Sequence, residues 1–233
     1  MFSELKNGFL HGVPIMLGYL TVSFTFGLTV VKDGMPWWMA VLISASNLTS
    51  AGQFAGASLM LAGAGLVEIA VTVFVINIRY MLMSLSLSQK LSPRVSLWQK
   101  LVIGFGVTDE IFAVASTRPA KLTFPYMMGL IAGPFLGWTL GTLLGSVTNA
   151  LLPAALQSSM GIALYAMFIA IIVPPSKKSR PILLAVLLGA ALSMLLRLVP
   201  VLTDGWIIIL AAVAASAVCA ALFPAPNEEG EEA

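Results

Sequence analysis

Apolar positions run through this chain in long blocks, and short stretches rich in polar residues, proline or glycine separate them. At about 1.5 Å of rise per residue, roughly twenty apolar residues in a helix cross a hydrocarbon core. Blocks near that length cover residues 9–31, 36–62, 65–89, 100–117, 122–150, 160–174, 181–200 and 205–223. The pattern predicts an all-α polytopic membrane protein of about six to eight hydrophobic helical segments, in a single transmembrane transporter domain over residues 1–223. The final stretch, PAPNEEGEEA, is acidic and proline-bounded, which predicts a short disordered tail over residues 224–233.

Two blocks depart from a plain span. Residues 36–62 are interrupted by SASNLTSAGQ, from Ser44 to Gln53, and residues 100–117 carry Thr108, Asp109 and Glu110 at their centre. Broken or re-entrant segments are therefore expected near 44–53 and 104–112. Irregular backbone at membrane depth is tolerated only where protein or a water-filled cavity surrounds it, and such segments mark transport sites in many carriers. Positive residues bear on the choice, because they collect in cytoplasmic loops. If every block spans, they divide almost evenly between the two sides. If both interrupted blocks turn back, Lys6, Lys90, Arg94, Lys100, Arg118, Lys121, Lys177, Lys178 and Arg180 share the side of the N-terminus, against Lys32 and Arg197 opposite. That arrangement puts both termini in the cytoplasm. A seven-span alternative, in which only residues 100–117 turn back, is similarly biased with the N-terminus outside.

Composition narrows the class. The chain is 59% hydrophobic and 9% charged, with a mean hydropathy of +0.98, far from the roughly 25% charged residues of soluble domains. A net charge of +2 with no basic stripe predicts no nucleic-acid partner. One cysteine, Cys219, and one histidine, His11, leave no intrachain disulfide and no metal cluster to expect. Neither a GxSxG elbow nor a phosphate-binding loop appears, so neither an enzyme nor a cofactor is expected. The first block lacks a small-residue cleavage site after it and reads as a first helix, not a removed signal. Trp37, Trp38 and Trp206 read as interfacial anchors. His11 has an interfacial reading and, with an ordinary pKa near 6.5, a proton-relay one.

The stretch VINIRYMLM sets Asn77 and Arg79 in the middle of a block that is otherwise apolar from Gly65 to about Leu87. Arginine at a helix centre costs roughly 2.5–3.5 kcal/mol even on the lenient insertion scale, so Arg79 must face protein or water. Asn77 lies about 200° around the same helix and is expected to meet a different neighbour. Asp109 and Glu110 are the carboxylates well inside a block, whereas Asp33 and Glu68 lie near block ends. Two readings stay open for this group. It is a structural ion pair, or it is a substrate or proton site in which one acid pairs permanently with Arg79 and the other cycles.

Around Gln53 the residues Ser46, Asn47, Thr49 and Ser50 place hydroxyls and amides inside one block. A half-helix starting near Gly52 would present free N–H groups and a positive dipole end, which suits a carboxylate; otherwise these side chains hydrogen-bond between helices. Glycine recurs at Gly129, Gly133, Gly137, Gly141 and Gly145, a side-chain-free stripe along which another helix can pack closely. A weak internal similarity links Gly12, Pro14, Gly18 and Gly27 of the first block to Gly129, Gly133, Pro134 and Gly137 of the fifth.

The ordered set GVPIMLGYLTVSFTFG, SAGQFAGASLMLAGAG, VINIRYMLMSLSLSQKL, VTDEIFAVAS and IALYAMFIAII resembles the AzlC family from residue 8 to about 222. The resemblance implies the large subunit of a two-component exporter in the bacterial cytoplasmic membrane. Such exporters carry leucine, isoleucine, valine and sometimes methionine, work with a small AzlD-type partner and draw on protons. It also implies a polar centre at Gln53, Asn77, Arg79, Asp109 and Glu110. Where the family often has an aromatic residue or histidine after the arginine, this chain has Tyr80. Other classes compatible with the residues are a channel or carrier for another small solute and a non-transporting membrane scaffold subunit.

Overall fold

The computed structural model describes residues 2–148, 169, 173, 176, 177 and 179–223. Among these residues the named elements are α1 (Phe2–Lys32), α2 (Trp37–Ser46), α3 (Ser50–Leu61), α4 (Leu66–Lys90), α5 (Leu97–Phe105), α6 (Asp109–Thr117), α7 (Phe124–Thr148), α8 (Arg180–Leu196) and α9 (Asp204–Leu222). Most of the block expected at 160–174, and the tail at 224–233, lie outside the described residues. Helices α1, α4, α7 and α9 are long and apolar enough to cross a membrane. The fold is that of an all-α polytopic membrane protein.

Both interrupted blocks are broken. Helix α2 stops at Asn47, whose backbone turns extended and whose Oδ1 accepts from Thr49 N at 2.9 Å and Thr49 Oγ1 at 2.6 Å. A short amide that offers nearby donors this alternative acceptor competes with helix continuation. The second break falls at Gly106, Val107 and Thr108. Thr108 then starts α6 as its N-cap, accepting from Ile111 N at 3.4 Å, while a Ser96–Gln99 capping box opens α5.

The spine of the molecule is the pair α1 and α7. Gly129 lies against the backbone of Leu5 and Phe9, Gly137 against Met16, Gly141 against Leu20 and Ser23, and Gly145 against Phe24. In return, Gly8 meets Tyr126, Gly12 meets Leu130 and Pro134, and Gly27 meets Thr142 and Ser146. A methyl group at most of these positions would strike backbone, so the two helices touch main chain to main chain. Lipid supplies no hydrophobic drive between helices, and close contact of this kind replaces it.

The register of α1 and α7 rises together, so the two helices are parallel. The chain between them must therefore cross an odd number of times, which excludes the seven-span alternative. Local contacts decide the rest. At one end, Ser92 N donates to Leu122 O at 2.8 Å and Leu122 N to Lys90 O at 3.0 Å; Lys90 Nζ reaches Ser116 O, and Arg118 Nη2 donates to both oxygens of Glu4 at 3.0 Å. Thus α5 starts, and α6 finishes, beside the end of α4 and the starts of α1 and α7. These two short helices form a hairpin that enters and leaves by the same end.

The other hairpin mirrors it. Gly52 packs on Asn77 and Gly56 on Val73, so α3 runs antiparallel to α4, and Ala57 returns to a cluster with Val30, Met35 and Ala40 at the far end of α1. Only α4 crosses between α1 and α7. At the end shared by the starts of α1 and α7 stand Lys6, Lys90, Arg94, Lys100, Arg118 and Lys121, while Lys32 lies at the other. Helix α9 starts against Glu68, at the Lys32 end, and its Cys219 Sγ lies 3.8 Å from Pro181 O, so α8 and α9 are antiparallel. Arg180 therefore falls at the basic end and Arg197 at the sparse one.

Candidate functional site

Five pieces of chain converge about midway along the long helices: Tyr19 of α1, Asn77 to Tyr80 of α4, Trp138 of α7, and the two hairpin tips. Tyr19 touches both tips. Its ring packs on Leu48 and Trp138, with the Tyr19 and Trp138 centroids 5.2 Å apart edge to face. Its hydroxyl lies 2.7 Å from Thr108 Oγ1 and donates to Glu110 Oε2 at 2.5 Å.

The charges sit on the side of the α5–α6 tip. Arg79 Nη2 meets Asp109 Oδ2 at 2.9 Å, the two side chains being 44% and 40% exposed. The guanidinium also lies 5.0 Å over the Tyr80 ring and donates to its hydroxyl at 3.2 Å. Half-exposed charge this far along a spanning helix is not compatible with lipid contact, so this face looks onto water or further protein. The adjacent acids are held differently: Asp109 by a fixed cation, Glu110 by a neutral hydroxyl. Asp109 and Glu110 also occupy the first turn of α6, where negative charge complements the helix dipole.

The α2–α3 tip is neutral and internally satisfied. Gln53, 1% exposed, donates from Nε2 to Ser44 Oγ at 2.7 Å and accepts from Trp138 Nε1 at 3.0 Å. Trp138 Nε1 also reaches Asn47 O at 3.2 Å, and Ser44 Oγ pairs with Thr142 Oγ1 at 2.6 Å. One indole thereby grips both sides of the break. The α3 N-cap, Thr49, makes no side-chain cap bond. Above Gly52 lies the Asn77 amide, whose Oδ1 is buried without a hydrogen-bond partner among the described residues. A cavity of about 280 Å³ opens beside this tip, with Ile43, Met60, Ile69 and Val73 as apolar walls and Ser46 and Asn47 as polar ones.

The structure thus brings Arg79 to Asp109 and Asn77 to the start of α3, on different sides of α4. Trp138 and Tyr19 tie Gln53 to the charged group. Tyr19 and Trp138 were not singled out from the sequence, because a lone aromatic in an apolar block reads as packing; its polar atom, which needs a partner when buried, is the available signal. Glu68, set aside as close to a block end, is 8% exposed. It accepts from Thr203 Oγ1 and from Gly205 N at 3.2 Å, closing the start of α9. His11 Nδ1 lies 3.0 Å from the Tyr126 hydroxyl, and Arg118 stacks 3.9 Å over that ring, so the histidine belongs to the basic end and not to the centre.

A family model described as "AzlC protein" matches residues 14–152. Inner membrane protein YgaZ of Escherichia coli K12 is 26% identical over 207 residues, covering 85% of this chain and 84% of its own. A membrane protein of Archaeoglobus fulgidus is 30% identical over 187 residues, 79% of this chain and 81% of its own. Another, of Helicobacter pylori 26695, is 27% identical over 150 residues, 62% and 64% respectively. No solved structure matches the chain at a significant level.

Proposed function

Because the chain belongs to the AzlC family, we propose that it exports branched-chain amino acids, leucine, isoleucine, valine and with them methionine, across the bacterial cytoplasmic membrane. The exporter is proton-coupled and works with a small AzlD-type membrane subunit. The observation that carries the reading is the meeting of two re-entrant tips, from opposite ends of the bundle, beside Arg79, Asp109 and Glu110. A chain that brings broken helices and charge to one depth has the parts that alternating access requires.

In this reading the cavity beside α3 takes the apolar side chain, at about 0.8 kcal/mol for each methylene buried. The polar walls at Ser46 and Asn47 and the start of α3 at Gly52 take the polar end of the substrate, the helix start suiting its carboxylate. Arg79 holds Asp109 as a fixed pair, and Glu110 gains and loses the proton. The excess of lysine and arginine at the Lys6 end supports an N-terminus in the cytoplasm.

The test is flux of labelled leucine in proteoliposomes under an imposed pH gradient, with and without the small subunit. Gradient-driven flux that needs the subunit and disappears in Glu110→Gln is the expected result. A correctly assembled wild-type complex that ignores the gradient rules out proton coupling; conduction without stoichiometric coupling marks a channel instead.

A further inference from the structure

We propose that Tyr19 is a positioning residue that ties the charge of Glu110 to the hold on the α2–α3 tip, so that the two hairpins move as a coupled pair. The proposal rests on the reading of Glu110 as the group that gains and loses the proton.

The contacts form one continuous path. An ionised Glu110 carboxylate needs a donor, and the Tyr19 hydroxyl at 2.5 Å provides it. That bond fixes the depth and tilt of a ring that is itself a wall for Leu48 and Trp138. Trp138 in turn holds Asn47 O and Gln53 Oε1, one on each side of the first break. When a proton binds Glu110, the carboxyl becomes a weaker acceptor, and the phenol turns its hydrogen to Thr108 Oγ1 at 2.7 Å. The phenol keeps its own proton throughout; only the strength of its tether changes. A ring held by this weaker neutral bond, no longer by a charge-assisted one, loosens its grip on Leu48 and Trp138, and with it the first tip.

The other charged and titratable groups around Glu110 do not duplicate this path. From α4 come Arg79, bound to Asp109, and Tyr80, bound to Arg79. The one ionisable side chain of α7, Tyr126, engages His11 and Arg118 near the basic end. Tyr19, which bonds Glu110, also packs on Leu48 of the opposite hairpin.

The test is hydrogen exchange of the backbone amides of residues 47–52, followed by mass spectrometry across pH and corrected for intrinsic rates. It compares the full-length wild type with its small subunit, Tyr19→Phe and Glu110→Gln. In the wild type, exchange at the tip rises about tenfold as acid protonates Glu110, while α7 stays protected. Tyr19→Phe keeps the ring but exchanges fast at every pH, and Glu110→Gln shows no pH response. A wild type with no response, or a response that survives in either variant, overturns the proposal. Should Tyr19→Phe lose protection along α1 and α7, Glu110→Gln decides alone, because it keeps both ring and hydroxyl. Leucine flux on the same samples separates the two readings. A preparation that shows the exchange pattern but carries no leucine rejects the export reading and leaves the Tyr19 coupling standing.

Discussion

The two hairpins enter from opposite ends and stop at the same tyrosine, yet they are made of different material. The α2–α3 tip is neutral and closed on itself: Gln53, Ser44, Thr142 and Trp138 satisfy one another out of solvent. The α5–α6 tip puts adjacent acids on its first turn, Asp109 on an arginine and Glu110 on a hydroxyl, with the ion pair left half exposed. Buried neutral networks hold a shape, because leaving any member unsatisfied is costly. Exposed acids on a helix start respond to protons and to neighbouring charge. One tip is thus built for geometry and the other for charge, and α1 with α7 supplies the rigid seam against which both are set.

Substitutions that separate stability from charge sharpen this contrast. Gln53→Leu should cost the most, about 2 kcal/mol or more, because it removes one of the two partners of Ser44 and leaves the Trp138 indole with one weaker partner in a dry site. Thermal unfolding of the purified protein in detergent reads it, and an unchanged midpoint would mean that the neutral network contributes little. Thr108→Val, which removes the α6 N-cap and the second contact of Tyr19, should cost about 1 kcal/mol, visible as faster amide exchange in the first turn of α6. Ser96→Ala, at the exposed start of α5, should cost about 0.5–1 kcal/mol and leave flux unaltered; a loss of flux there would extend the functional part of the hairpin to its rim. Glu110→Gln should have the smallest effect on unfolding, within about 0.5 kcal/mol for an exposed side chain, while abolishing the response of flux to a pH gradient. If instead Glu110→Gln unfolds the protein, the distinction between the two tips collapses.

Much of the architecture was legible in the linear pattern. Both breaks fall where polar residues interrupt an apolar block, since an amide or hydroxyl with local backbone partners competes with the helix at Asn47 and caps a new one at Thr108. The separation of Asn77 from Arg79 follows from helical geometry alone: one faces α3 and the other α6. The extent of α1 was less legible. It begins at Phe2, well before the apolar block, because Glu4 suits the positive end of the helix and is held there by Arg118 and Thr123. Tyr19, Trp138 and Glu68 were not legible as members of polar networks, for their partners lie on other helices.

By itself, the sequence determined that this is a helical membrane protein, where its helices break, and that Arg79 must avoid lipid, because each of these follows from backbone satisfaction and the cost of charge in hydrocarbon along a single segment. Only the tertiary structure decided that α1 and α7 run parallel, that both broken segments return to the end they entered, and that Asp109 takes the arginine while Glu110 takes Tyr19. The positions of adjacent acids on one helix turn are nearly equivalent in sequence. What distinguishes them is which neighbouring helix each one faces, and that is set by how α6 packs, through Ile111 and Ala115, on residues far away in the sequence.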